Sequence, residues 1–222
     1  MTTKEKIVET AIELYNQKGV NNVTSRHIAQ QIGISHGNLE YHFKNKEELI
    51  RAIYEQMRNE MSVAYTLDDV QNVSLIHFHQ LLLRLESFQH RYKFFNLDVL
   101  EISRKFPKVN KLISKTLRFR KDQIQTIFNQ FVEQGLLKSE ENKGDYLRLQ
   151  HNIRIIITFW LAQKEVVTSF SFGKEGEMSR HIWGLLVPFM TSKGKEIFHD
   201  LMKQINNSEL KQSSSNEIQD AI

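Results

Sequence analysis

Apolar residues recur at helical spacing along most of the chain. Thr2 and Glu5 have the spacing of a capping box ahead of the first apolar stripe, and Gly19 follows that stripe where a helix C-terminus favours glycine. The pattern therefore predicts a first helix that ends near residue 18. The stripe consists of Ile7, Ala11, Leu14 and Tyr15.

Two short helices follow, separated by a tight turn. The segment 25–32 places Ile28, Ala29 and Ile32 on one side. Gly33 comes next and begins the turn, and Ser35 is a typical N-cap for the third helix. The pattern thus predicts helix, turn, helix within about twenty residues.

Longer helices account for the remainder of the chain. Asn45 and Glu48 form a second capping-box pattern, which opens a helix that continues to about Met61. Pro188 should kink or break the last helical segment. No alternation typical of strands is present. Further helices are predicted over residues 74–91, 92–105, 107–135, 145–172 and 176–206.

The chain is therefore predicted to be all-α. A three-helix head with a helix-turn-helix occupies residues 1–45, and a linking helix over 46–64 joins it to a larger helical body at 65–206. The tail 207–222 is rich in Ser, Asn and Gln with scattered charge, and we predict that it is disordered.

Composition excludes several classes of protein. The 222 residues contain no cysteine, which rules out disulfides and thiolate metal sites and fits a cytoplasmic protein. No stretch reaches the roughly 18 apolar residues of a membrane span, and no signal-like apolar run precedes the first helix. We expect no membrane partner. The net charge of +4 and a pI of about 9.1 permit a polyanionic partner without requiring one.

The pair of short helices suits DNA reading, in which the second helix enters the major groove while the first braces it. Ala29 is small where the helices must approach, and Gly33 can adopt the positive φ of the turn. A helical bundle of another kind could use the same residues. The candidate DNA contacts are Thr24, Ser25, Arg26, Ser35, His36, Gly37, Asn38, Tyr41, His42 and Lys46.

This stretch and its flanks resemble the DNA-binding head of the TetR family of bacterial transcriptional regulators. The resemblance covers residues 4–60 without a gap and implies a homodimer bound to palindromic double-stranded operator DNA. It also implies that the body binds an effector and forms the dimer. The matching residues are Gly19, Thr24, Ile28, Ala29, Gly33, Ile34, Ser35, Gly37, Leu39, Tyr41, His42, Phe43, Lys46 and Leu49.

Two features of the head depart from that pattern. Glu40 stands where family members often carry an aromatic residue, and it could either read a cytosine amino group or lie off the groove. Residues 1–60 hold eight Lys or Arg and eight Asp or Glu, so the head has no net charge. Within 24–46, however, Arg26, Lys44 and Lys46 are opposed only by Glu40.

The body offers candidates for an effector pocket with apolar walls and a few polar groups. Each aromatic candidate could equally be a core residue. His77 and His79 are two positions apart on a helix and face different ways, so we expect no metal site. The pocket candidates are Phe78, Tyr92, Phe95, His151, Arg154 and Trp160.

A basic run in the body has two interpretations. Its members either form a solvent-exposed helix face or contact an acidic ligand or a membrane. The run is Lys108, Lys111, Lys115, Arg118, Arg120 and Lys121.

Large apolar residues near the C-terminus are candidates for the dimer interface that the resemblance implies. The alternative is that they belong to the core of one chain. The candidates are Ile157, Trp160, Ile182, Trp183, Leu186 and Phe189.

The sequence thus predicts a DNA-binding transcriptional regulator, a repressor that an unidentified small molecule releases from its operator. An activator, or a regulator controlled by a partner protein, is the main alternative. A second alternative is a helical binding protein whose head no longer binds DNA. We expect no enzyme and no cofactor, because no cysteine nucleophile, glycine-rich phosphate loop, paired-histidine motif or triad is present.

Overall fold

The computed structural model describes residues 1–64, 73–166 and 176–219. Within these ranges the regular structure is helical, apart from one isolated antiparallel bridge between Leu137 and Met190, so the predicted all-α fold is confirmed. The helices are α1 Thr3–Lys18, α2 Ser25–Gln31, α3 His36–His42, α4 Lys46–Ala64, α5 Leu75–Arg91, α6 Lys93–Leu97, α7 Val99–Lys105, α8 Pro107–Glu133, α9 Asp145–Val166, α10 Glu177–Leu186 and α11 Ser192–Gln219.

Local capping follows the sequence closely. The Thr2 hydroxyl accepts from the Glu5 amide at 3.2 Å, and the Glu5 carboxylate accepts from the Thr2 amide at 2.7 Å. Only half of the second predicted box forms. Asn45 accepts from the Glu48 amide at 2.9 Å, but the Glu48 carboxylate accepts from the Lys44 amide at 3.1 Å instead of from Asn45.

Two of the predicted helices have different bounds in the structure. The helix predicted over 92–105 is two helices, α6 and α7, which meet at Asp98. The last helix runs to Gln219, beyond residue 206 and into the tail that we predicted to be disordered, since no proline or glycine follows Gly194. Pro188 lies in a 3₁₀ turn over Val187–Phe189, as its predicted helix break requires. Residues 167–172 of the helix predicted over 145–172 lie outside the described residues.

The core of the head extends into the body. Ile7, Ala11 and Ile28 are fully buried in it, and the Tyr15 ring lies 5.2 Å from that of Phe94. Burying a large apolar side chain contributes about 1.5–3 kcal/mol, so the body residues in this cluster are a substantial part of the stability of the head. They are Tyr92, Phe94, Phe95, Ile102, Phe106 and Val109.

Hydrogen bonds hold the same junction between head and body. The Asn16 side chain donates to the Arg91 carbonyl at 2.8 Å and accepts from the Phe94 amide at 3.0 Å. The Asp98 carboxylate accepts from the Val20 amide at 2.8 Å. These bonds fix α6 against the C-terminal end of α1.

A second core lies between α5, α8, α9, α10 and α11. The Phe78 ring makes edge contacts with Trp183 at 5.3 Å and with Phe131 at 5.9 Å. The Trp183 indole donates to the buried His79 imidazole at 3.2 Å. His77 instead lies at the helix N-terminus beside Ser74, at 3.1 Å, so the two histidines do face different ways.

Gly194 marks a close approach between two segments. A Cβ atom built on Gly194 would lie 2.1 Å from the Leu136 carbonyl oxygen, which is a backbone atom and cannot swing away. We expect Gly194→Ala to lower the free energy of unfolding by about 1–3 kcal/mol, the usual cost of overpacking. Urea unfolding at a fixed protomer concentration measures this.

Gly184→Ala is the matched control, because a Cβ atom on Gly184, within α10, would meet no other described atom within 4 Å. Alanine is the better helix former by about 1 kcal/mol, so this variant should be as stable as the parent or more stable. Equal destabilisation by both changes would contradict the close approach.

Candidate nucleic-acid interface and ligand cavity

The turn between α2 and α3 sets the angle of the exposed third helix. Gly33 has φ 71°, and the Ile34 amide donates to the Ala29 carbonyl at 3.0 Å. The Ser35 hydroxyl accepts from the Asn38 amide at 3.1 Å and caps α3. Leu39, only 1 % exposed, anchors the inner side of α3 in the head core.

The outer side of α2 and α3 presents the polar residues that the sequence singled out. Tyr41 stands out because 86 % of its surface is exposed, which is unusual for a tyrosine. Its ring lies 5.4 Å from that of His42 in an edge arrangement. Thr24, Arg26, Ser35, Gly37 and Asn38 are exposed, and Ser25, His36, His42 and Lys46 are half-buried.

Glu40 has a neighbour on its own helix. The His36 Nδ1 atom lies 3.6 Å from a Glu40 carboxylate oxygen, one turn away. A protonated His36 imidazole therefore partly offsets the negative charge of Glu40.

Lys46 makes contacts within the head that we did not predict. Its ammonium donates to the carbonyls of Val20 and Val23, to the latter at 2.7 Å, and lies 5.5 Å from the centre of the Tyr15 ring. Burial, followed by the charge of Lys105, lowers the pKa of Lys46. The structure thus turns this ammonium inward, where two of its three N–H groups tie α4 to the α1–α2 loop.

A cavity of about 440 Å³ lies in the body between α4, α5, α8 and α9. Five of the six predicted pocket residues line it: Phe78, Tyr92, Phe95, His151 and Arg154. Trp160 does not line it, and its ring instead packs against His181 at 5.0 Å. Further apolar wall residues include Met57, Leu81, Leu85, Phe88, Ile124 and Ile157.

The polar part of the wall includes five cationic residues beside neutral ones such as Gln89, Asn96 and Thr116. Arg118, Arg120 and Lys121 of the basic run line the cavity, together with Arg58 from α4 and Arg154 from α9. Sequence reasoning missed Arg58, and it noted the run without assigning it to the pocket. Helical spacing in α8 was the available signal for the run.

The cavity and the head core share a wall. Tyr54 and Phe95 belong to the head core and also line the cavity, with their ring centres 5.3 Å apart. Helix α4 continues along the cavity with Met57, Arg58 and Met61. A change in cavity shape would therefore displace side chains that also pack in the head core.

The structure corrects most of the predicted dimer interface. Trp160, Ile182, Trp183 and Leu186 are at most 8 % exposed and belong to the core of a single chain. The reason is that the apolar face of α10 packs against α5 and α9 of the same chain. Ile157 lines the cavity, and half-buried Phe189 packs against Tyr146 at 5.8 Å.

A different apolar surface is exposed on α9. Ile155 and Phe159 are one turn apart and are 45 % and 42 % exposed. Val166, further along the helix, is 79 % exposed, and Ile197 of α11 is 42 % exposed. The helices of the described ranges include none with the length and apolarity to span a membrane.

A helix-turn-helix head on a helical body with a central cavity defines a class of bacterial transcriptional regulators. The sequence model described as "Bacterial regulatory proteins, tetR family" matches residues 7–53, and that described as "Bacterial transcriptional repressor" matches residues 56–198. The chain belongs to the TetR family, as its sequence pattern predicted.

Individual relatives agree with this assignment. A probable HTH-type transcriptional regulator of Bacillus subtilis, YttP, is 27% identical over 154 residues, which cover 67% of this chain and 70% of YttP. A TetR-family regulator from Marinobacter aquaeolei is 24% identical with a TM-score of 0.82, covering 92% of this chain and 98% of that one. A Saccharomonospora viridis regulator, solved in complex with choline, is 20% identical with a TM-score of 0.64, covering 84% and 96%.

The inward position of Lys46 leads to a stability prediction. Lys46→Met would leave the Val20 and Val23 carbonyls without their donor, and we expect the free energy of unfolding to fall by about 1–3 kcal/mol. Lys44→Met, at an exposed neighbouring position, should change it by less than about 0.5 kcal/mol. Chemical denaturation of both variants tests this, and equal stability of the two would show that Lys46 is not a structural tie.

Proposed function

We propose that this regulator is a repressor that binds a palindromic operator as a homodimer and leaves it when a small molecule occupies the body cavity. The observation that carries the proposal is the wall that Tyr54 and Phe95 form between the cavity and the head core. It would act in the bacterial cytoplasm, where operator DNA is accessible.

The DNA contacts divide by chemistry. Asn38 can donate and accept at base edges, while Arg26, Thr24 and Tyr41 are exposed for contact with phosphate and sugar. Gly37 has no side chain, and a Cβ atom there would meet no other described atom within 4 Å, so the backbone of α3 can approach the DNA closely. We leave Lys46 out of this set because its ammonium is engaged within the head.

The proposed release is a shift between two conformations of one protein. A ligand favours release only if it binds the DNA-incompetent state more tightly than the competent one. Ligand-induced repositioning of α4 would alter the spacing of the two heads, which must match half-sites about one DNA turn, or a multiple of it, apart. The Saccharomonospora viridis regulator, which has a similar fold, was solved in complex with choline, and this supports a small-molecule effector.

The dimer is proposed to form through the exposed apolar residues of α9 with those of α11. Ile155, Phe159 and Ile197 are each exposed by more than two fifths of their surface. Covering such residues with the same surface of a second copy gives a twofold interface.

Operator recognition is tested by selecting bound sequences from a random duplex library at two salt concentrations. The wild-type protein should recover a palindrome, with weaker binding at higher salt. Tyr41→Ala should bind the selected site at least about tenfold more weakly, equivalent to about 1.4 kcal/mol, with unchanged thermal unfolding because the side chain is 86 % exposed.

Leu100→Ala, which changes a side chain 61 % exposed on α7, is the control and should bind the site like the wild type. Recovery of no preferred sequence by the wild type, at either salt concentration, would refute the proposed operator binding.

The proposed dimer surface is tested by Phe159→Asp. A carboxylate in an apolar interface is costly to desolvate, so the variant should sediment as a monomer at concentrations where the wild type is a dimer. Phe119→Asp changes a phenylalanine 58 % exposed on α8 and should leave the dimer intact. Dimerisation of Phe159→Asp at wild-type affinity would exclude this surface.

A further inference from the structure

Helix α3 presents a negative charge on the surface that is proposed to contact DNA. The charge belongs to Glu40, whose side chain is 54 % exposed. Arg26 is the one Lys or Arg within α2 and α3, so the carboxylate has little positive charge around it there. Phosphate groups repel a carboxylate. Glu40 can therefore contribute to DNA binding only through a contact with something other than phosphate.

The place of Glu40 around α3 follows from that of the buried Leu39. Successive residues of an α-helix are rotated by about 100°, so Gly37 and Tyr41, two residues to either side of Leu39, lie opposite to it. Their exposures agree, since Leu39 is 1 % and Tyr41 is 86 % exposed. Glu40 lies on one flank of this outward side and Asn38 on the other. Glu40 and Gly37 are three residues apart and are neighbours on the helix surface.

The position beside Glu40 is open. Gly37 has no side chain, and a Cβ atom there would meet no other described atom within 4 Å. The backbone of α3 can therefore come closest to the floor of a DNA groove at this point. A side chain next to this gap, such as that of Glu40, is carried past the phosphates toward the edges of the bases.

The contact with His36 shows where the carboxylate of Glu40 lies. His36 is the first residue of α3, and its Nδ1 atom is 3.6 Å from a carboxylate oxygen of Glu40. The side chain of Glu40 thus extends back toward the first turn, as the tilt of the Cα–Cβ bond in a helix favours. In a helix-turn-helix, the N-terminal residues of the second helix are those that contact base edges. The carboxylate therefore lies at the turn of α3 that comes nearest to the bases.

The chemistry of the bases limits what this carboxylate can accept from. An ionised carboxylate is an acceptor only. In the major groove guanine presents two acceptors, and thymine presents an acceptor and a methyl group. Adenine has an amino donor with the acceptor N7 beside it, whereas the N4 amino group of cytosine has no such neighbour. Cytosine is therefore the base that suits a carboxylate best.

We propose that Glu40 recognises a cytosine in each half-site of the operator by accepting a hydrogen bond from its N4 amino group. The inference rests on the proposed operator binding, and it adds a base pair that the operator must contain. It also makes Glu40 a residue that determines sequence specificity more than affinity, because the favourable contact with cytosine is opposed by repulsion from phosphates elsewhere.

Selection from a random duplex library, carried out in parallel with the wild type and Glu40→Ala, tests the inference. The wild type should select cytosine at one position that recurs symmetrically in both half-sites. Glu40→Ala should select all four bases there and keep the wild-type preference at the other positions. Its thermal unfolding should be unchanged, because the side chain is exposed.

Competition binding measures the size of the effect. Replacing the cytosine by thymine in one half-site, with its partner base, should weaken wild-type binding about tenfold, which is typical of a mismatched pair. The same replacement should change binding of Glu40→Ala less than about twofold. If Glu40→Ala fails to fold, Glu40→Gln decides. Its amide also suits adenine N6 and N7, so its preference for cytosine over adenine should fall at least about threefold.

Glu55→Ala is the matched control. Glu55 is 51 % exposed and also has a cation one turn away on its own helix, Arg51 at 3.9 Å, but it lies on α4 outside the helix-turn-helix. This variant should select the wild-type sequence at every position. A change in its base preference at the cytosine position would overturn the assignment to Glu40.

The wild-type and variant selections separate this inference from the proposed function. A wild-type palindrome without a conserved cytosine, or one that Glu40→Ala selects unchanged, overturns the inference and leaves operator binding intact. A uniform gain in affinity of Glu40→Ala for all sequences, with the same preferences, would show that Glu40 only repels phosphate, and this also overturns it. If the wild type selects no sequence, the proposed function fails and the inference fails with it.

Discussion

The hydrophobic core of the head is closed by side chains that the chain supplies from α6, α7 and the start of α8. Phe94 packs on Tyr15 of α1, and Ile102 and Val109 are completely buried in the same cluster. Asn16 and Asp98 add directional bonds at this boundary. Because close-packed cores switch between discrete packings instead of deforming smoothly, the orientation of α3 depends on where α6 and α7 sit.

Because of this dependence, only a few contacts separate the cavity from the exposed surface of the helix-turn-helix. Tyr54 and Phe95 contact each other across the boundary, so no long chain of contacts between remote sites is needed. Inverting a two-state equilibrium from 1:99 to 99:1 takes about 5.5 kcal/mol of differential binding. Hydrogen bonds to charged groups contribute about 1.5–3 kcal/mol each. About two to four such bonds made in only one state would therefore be sufficient.

Short-range chemistry is what the sequence predicted well. The capping box at Thr2, the N-cap at Ser35 and the helix break at Pro188 depend on neighbours within a few residues, and the structure has all three. Lys46 shows where such reasoning stops. Its partners are carbonyls of Val20 and Val23, and no local pattern distinguishes a lysine that turns inward from one that faces a phosphate.

The contacts of the body were harder to predict, again because they join residues that are far apart in the sequence. Helical periodicity identified Trp183 and Ile182 as one side of an apolar stripe, but periodicity does not say whether that stripe meets its own chain or a second copy. The structure buries both within one chain. The pocket residues Tyr92 and Phe95 were found because aromatic residues lie close to charged ones, whereas Arg58 lies on α4, far from them in sequence.

The shared core also bears on how such regulators can be recombined. A chimera that joins this head to another effector domain immediately after α4 would separate Tyr15 and Ile53 from Phe94 and Ile102, and the new partner would have to supply surfaces of matching shape. The exchangeable unit is therefore discontinuous along the chain, comprising α1–α4 together with α6, α7 and the first turn of α8. Grafting experiments that transfer the helix-turn-helix alone would disrupt the packing that orients it.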